Sequence, residues 1–203
     1  MIAVITGDIV QSQKLPPDRW LESLKNVLAK WGTQPADWEI YRGDSFQLKV
    51  NDPRMALKVA LHIKAAIKKI PPLDVRMAIG IGEPAYIAPR ISESNGGAFV
   101  RSGETFERLE KMGQHLLIGS PWPEFDRQIN LMLKLALTIM DHWTAKSAKT
   151  VSLVFENPGL SQTALGELEG INQNTISTRL KRSQLEVIEE LMDFYTEKLN
   201  ALL

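Results

Sequence analysis

The pattern of apolar and polar positions divides the chain into short β segments and longer helical ones. Residues 2–5 form a β-branched run that meets Gly7-Asp8, as a buried strand stopping at a turn would. Over residues 19–31 the apolar positions Trp20, Leu24, Val27, Leu28 and Trp31 recur at helical spacing before Gly32, which predicts an amphipathic helix. Trp38-Glu39-Ile40-Tyr41 and Phe46-Gln47-Leu48-Lys49-Val50 flank Arg42-Gly43-Asp44-Ser45 in the manner of a β-hairpin. Pro53 starts a second helix, whose stripe is Ala56, Ala60, Ile63, Ile67 and Ile70, and Pro71-Pro72 stops it. A strand over 75–81, a loop through Asn95-Gly96-Gly97, a helix over 104–112 and a strand over 115–118 follow.

The resulting order, β-α-β-β-α-β-α-β, predicts an α+β unit that opens with the split βαβ arrangement of ferredoxin-like sheets and adds a helix and a strand. Residues 1–122 make up this unit. Residues 123–143, rich in Leu, Ile and Met, predict a connecting helix that could also serve as a dimer seam. Residues 144–203 predict a small all-α unit. In it Thr144 to Ser147 caps a helix running to Phe155, and Asn157-Pro158-Gly159 breaks the chain.

Ser161 then caps a short helix with Leu165 and Leu168 turned inward. Gly170 turns the chain, Asn172 caps a second helix, and Ile171, Ile176 and Leu180 return to the core. The run Leu165-x-x-Leu168-x-Gly170-Ile171-x-x-x-Thr175-Ile176-x-x-Arg179-Leu180-x-Arg182 resembles helix-turn-helix units of bacterial transcription regulators and of the promoter-reading region of sigma factors. That resemblance implies that the second helix enters the major groove of double-stranded DNA. Gln173, Asn174, Ser177, Thr178 and Lys181 would form its outer face, with Arg179 and Arg182 anchoring the backbone. A helical hairpin that packs on another protein is the competing reading.

Charge limits where DNA could bind. Lys+Arg and Asp+Glu both number 24, so the chain as a whole exerts no long-range attraction on nucleic acid or an anionic membrane. Between Ser161 and Ser183 the charges are Glu167, Glu169, Arg179, Lys181 and Arg182, a small positive surplus on the second helix, whereas Glu186, Glu189, Glu190, Asp193 and Glu197 against Lys198 make the last helix acidic. The apolar set of that helix, Leu185, Ile188, Leu191, Met192, Tyr195, Leu199 and Leu202, suits internal packing or a dimer contact.

The chain has no cysteine, which removes disulfides, thiolate metal sites and thiol catalysis. His62, His115 and His142 stand too far apart in sequence to form a ligand pair. The N-terminal segment has no basic region ahead of an apolar core, and no apolar run approaches a membrane span, so the expected location is the cytoplasm.

Asp8 at the end of the first strand and Asp44 in the hairpin turn are expected at one end of the sheet, where two carboxylates could hold Mg²⁺ or Mn²⁺ against a triphosphate. Gly7-Asp8-Ile9 and Arg42-Gly43-Asp44-Ser45-Phe46 resemble the metal-binding strand end and hairpin of the nucleotidyl cyclase and polymerase palm superfamily. Ala78-Ile79-Gly80-Ile81-Gly82-Glu83, the Gly96-Gly97 loop and Phe106-Glu107-Arg108-Leu109-Glu110 follow in the order of class III cyclases. The resemblance implies a nucleotide-binding role for Arg108. Two positions depart from that pattern: Glu104 stands where those cyclases carry a substrate-positioning asparagine, and Ile40 where they carry a lysine. A degenerate, cyclase-like unit is therefore expected.

Together, Ile-Thr-Gly-Asp-Ile-Val-Gln-Ser at the start, the Tyr-Arg-Gly-Asp-Ser-Phe-Gln hairpin and the C-terminal motif resemble the SatD family of bacterial proteins over essentially the whole chain. This implies a cytoplasmic regulator and no established reaction. The expected function is a DNA-binding transcriptional regulator whose N-terminal unit dimerises and senses a nucleotide. The alternatives are a metal-dependent nucleotidyl cyclase or related enzyme using Asp8 and Asp44, and a pure interaction module.

Overall fold

A computed structural model describes residues 1–203, with the side chain of Glu110 outside the described set. The described residues form a mixed α+β structure with a five-stranded sheet of β1 (Ile2–Val10), β2 (Trp38–Tyr41), β3 (Ser45–Val50), β4 (Asp74–Gly82) and, at its edge, a strand over Leu116–Gly119. A small ladder of β5 (Pro84–Tyr86) and β6 (Asn95–Gly96) stands apart, so the edge strand is β7. The helices are α1 (Leu21–Ala29), α2 (Ala56–Lys68), α3 (Gly97–Met112), α4 (Pro123–Met140), α5 (Ala145–Glu156), α6 (Gln162–Glu169), α7 (Gln173–Ser183) and α8 (Leu185–Asn200). No described helix is long and apolar enough to cross a membrane.

The sheet order is β2-β3-β1-β4-β7, with β1 antiparallel to both neighbours and β7 parallel to β4. Alternation along β1 separates two faces. Ala3, Ile5 and Ile9 enter the main core with α1, α2 and α4, whereas Val4 packs on Ala98 and Phe99 of α3. Edge strand β7 is blunted by Asn130 of α4, whose amide accepts from Ile118 N and donates to Ile118 O, both at 2.8 Å.

Two local expectations change. Gly7-Asp8 is not a turn, because β1 continues to Val10; Gly7 is small because a Cβ there would lie 2.6 Å from the Phe46 ring. The helix expected over 104–112 begins instead at Gly97, two turns earlier. Its first residues cross β4 so closely that a Cβ on Gly80 would collide with the backbone of Ala98 and Ser102. The hairpin turn is as read: Arg42 and Gly43 both take positive φ, the conformation that suits a tight two-strand connection.

Helix α2 carries much more than a stripe. Every residue from Ala56 to Ile67 except Lys58 is buried, including His62 and Lys64. The sheet covers one side, and α1, α5 and α8 close the others. One hydrophobic core therefore runs from Ala3 to Leu199. Trp143, between α4 and α5, is itself buried and donates its indole N–H to Ser183 O at 2.9 Å; Tyr195 of α8 donates to Pro53 O at 2.7 Å.

Gly80→Ala should destabilise the protein by about 1–3 kcal/mol through overpacking at the β4–α3 crossing. Urea unfolding measures this, and an unchanged midpoint would mean that α3 can lift off the strand without cost.

Candidate nucleic-acid interface

Helices α6 and α7 meet in a tight turn whose geometry follows from small residues. Gly170 adopts a left-handed conformation (φ 68°), Ile171 N donates to Gly166 O at 2.9 Å, and a Cβ on Gly166 would lie 2.6 Å from Ile171 O. Each of the three helices α5, α6 and α7 starts with a side-chain cap: Thr144 accepts from Ser147 N, Ser161 from Ala164 N and Asn172 from Thr175 N. Lys149 of α5 pairs with Glu169 at the end of α6.

Leu165 and Ile176 are buried between these helices, with Leu180 half-buried behind them. Leu168, expected to face inward, is 61% exposed. The inner face of the eight-residue α6 is already filled by Leu165 and by the close approach at Gly166, which turns the residue three positions on toward solvent.

On α7, Gln173, Asn174, Thr178, Lys181 and Arg182 are exposed, Ser177 and Arg179 are half-buried, and Ile176 and Ser183 face the core. At 100° per residue Asn174, Thr178, Lys181 and Arg182 form one face opposite Ile176, and Gln173 stands to the side. The structure divides that face between two grooves. Asn174, Thr178, Arg179 and Arg182 line a groove of about 670 Å³ shared with Thr144 to Ser147 at the start of α5. Ser177 and Lys181 instead border a groove toward α8 that contains Glu186 and Glu189. Gln173 donates to Gln162 of α6 at 2.9 Å.

The first groove has a consistent sign. Lys146, Arg179 and Arg182 bring three cations, no carboxylate lines it, and the N-termini of α5 and α7 both open into it. Backbone N–H groups and helix dipoles there favour an anion. Lys146 was not singled out by the sequence motif. The Thr144 cap was legible, but its position beside α7 depends on tertiary packing.

The N-terminal candidates are arranged differently. Asp8 lies on the α3 face of β1, and Asp44 follows the hairpin glycine one residue before Ser45, the register partner of Asp8. Arg76 grips Asp8 through both oxygens, at 3.0 and 2.5 Å, and Ser12 donates to Asp44 Oδ2 at 2.5 Å. A guanidinium thus engages both oxygens of Asp8, and a divalent ion at Asp8 would have to compete with Arg76. Glu104 and Arg108 are exposed on α3. Arg108 forms no hydrogen bond or ion pair with Asp8 or Asp44 among the described residues, and its charge acts on Asp126 of α4. Burial raises the Asp126 carboxyl above its ordinary value, against hydrogen bonds from Ser120 and the charge of Arg108.

A second polar cluster was missed by spacing because its members come from four elements. Asp74, His115 and Asp141 bring one donor atom each within 4.8 Å of one another. Lys64, fully buried, donates to Asp74 Oδ1 at 2.9 Å and Asp141 Oδ1 at 2.7 Å; Lys68 reaches Asp74 Oδ2 at 2.8 Å, and His115 Nδ1 lies 3.0 Å from Asp141 Oδ2. Lys64 pairs with both carboxylates and His115 with Asp141, so the cluster forms an ion-pair network around a buried ammonium.

Comparison with known proteins adds no relative: no protein-family model and no curated protein matches the chain.

Burial raises the Asp141 carboxyl, but His115 and Lys64 outweigh it and hold it at about 2, below the ordinary 3.8. A pKa depressed in the folded state stabilises above the unfolded value, and that stabilisation is lost as pH falls from about 3.8 towards 2. It amounts to about 2 kcal/mol at neutral pH. Acid titration of stability should therefore show a slope in this window that Asp141→Asn reduces; an identical slope in the variant would assign it to other carboxylates.

Proposed function

We propose that the chain is a regulator that binds double-stranded DNA, with α7 as the reading helix and the start of α5 as a backbone contact. The observation that carries this reading is the groove between them: three cations, two helix N-termini and, among the described residues, no carboxylate on a surface otherwise made of Asn, Thr, Ser and Ala145. Phosphates supply most of the affinity of such a surface, and Asn174 and Thr178 are the types of side chain that contact base edges. The capped α6–turn–α7 arrangement supports its description as a helix-turn-helix, with α5 as the helix packed behind it.

Charge also orients the duplex. Glu186 and Glu189 border the far side of α7 and repel phosphate there, so DNA lies toward Lys146, Arg179 and Arg182, and Lys181 sits at the margin. In this reading the N-terminal unit is a ferredoxin-like scaffold of the palm type, supported by the order β4-β1-β3-β2 and its strand directions. The nucleotide-processing alternative has less support, because Arg76 engages both oxygens of Asp8. Reading a two-fold site requires a second copy of the chain, which sedimentation of the DNA complex would report.

Fluorescence anisotropy with labelled duplex at low and rising salt tests the reading. Lys146→Ala combined with Arg182→Ala should weaken binding to all sequences and reduce the salt slope by about 2, one for each lost phosphate contact. Lys181→Ala should do less. Equal binding by the folded double variant and the parent protein would remove this groove as the DNA contact.

A further inference from the structure

A further cleft, of about 560 Å³, lies at the other end of α5, between α1, α2 and the last turn of α5. Ser23, Asn26, Lys30, His62, Lys69 and Glu156 bring its polar groups. His62 is the unusual member. It is 1% exposed, and Trp31 Nε1, which can only donate, gives its proton to His62 Nδ1 at 3.1 Å.

That bond fixes the tautomer. With Nδ1 accepting, the neutral ring carries its proton on Nε2. Nε2 has no hydrogen-bond partner among the described residues, since the nearest carboxylate oxygen, Glu156 Oε1, is 3.8 Å away and accepts from Ser152 Oγ at 2.7 Å. A buried donor without an acceptor is costly, which makes the position one that an added oxygen would stabilise.

The surrounding charge selects the kind of oxygen. Lys30 and Lys69 both act on His62 from the cleft, against Glu156, which acts on it more strongly than either lysine and is the one carboxylate lining the cleft among the described residues. Desolvation is the largest influence on His62 and, with the two lysines, outweighs Glu156 and holds the ring at about 4, so it remains a neutral donor at physiological pH. We infer that this cleft binds a small oxyanion, a carboxylate or a phosphate, with the His62 Nε2–H donating to it, Lys30 and Lys69 neutralising it and Glu156 opposing it.

Glu156 gives the inference a signature that a purely structural histidine would lack. Its charge competes with the ligand, so Glu156→Gln should tighten binding while Lys30→Gln with Lys69→Gln loosens it, both by roughly tenfold per 1.4 kcal/mol of interaction changed. The full-length protein, labelled with ¹⁵N at histidine, is titrated with inorganic phosphate and, separately, with succinate, following the His62 Nε2 resonance. The expected result is a saturable shift with one or both anions, ordered Glu156→Gln, parent, double lysine variant. A response to phosphate alone identifies a phosphorylated ligand, and a response to succinate alone a carboxylate. No saturable shift with either anion, or a shift that is the same in all three proteins, would overturn the inference. Variant melting temperatures confirm that each protein is folded. The result is independent of DNA binding, which anisotropy reports separately.

Discussion

The fold depends on one buried charge. Lys64 lies in the middle of α2, out of contact with solvent, and an ammonium there is tolerable only with carboxylates on hand. Asp74 comes from the start of β4 and Asp141 from the end of α4, with His115 joining from the loop before β7. Satisfying that one group therefore fixes the mutual placement of a helix, two strand ends and the helix leading to the C-terminal unit. Removing a carboxylate would leave the amine buried with less compensation, a more serious loss than an exposed ion pair would be.

The same helix explains what the sequence did and did not disclose. The apolar stripe at Ala56, Ala60, Ile63 and Ile67 was visible because the sheet contact follows the helical period. The burial of Leu57, Leu61, His62 and Ala65 was not, since it depends on α5 and α8, which come about ninety to one hundred and thirty residues later. Local devices were readable throughout: the caps at Thr144, Ser161 and Asn172 and the left-handed Gly170 act over three or four residues. Close approaches were not, and so Gly7 looked like a turn and Gly97 like a loop, although one lies within a strand and the other starts a helix.

The candidate interface shows the same division. The polar face of α7 was written into its period, and Asn174, Thr178, Arg179 and Arg182 stand where helical geometry puts them. The partition of that face between a basic groove and an acidic margin came from neighbours the motif does not contain, Lys146 on one side and Glu186 and Glu189 on the other. Asp8 shows the reverse case. Its partner Arg76 is placed opposite it by strand register and cannot be read from spacing.

The enclosure of α2 has a consequence for how the molecule comes apart. Because α5 and α8 complete the cover over a helix that belongs to the sheet, detaching the C-terminal helices would bare an apolar surface on the remainder and strand Tyr195 without Pro53. The two halves are thus expected to unfold in a single transition, with no soluble fragment released at Trp143. Loss of stability in the sheet would then be felt at α7, through the core the two halves share.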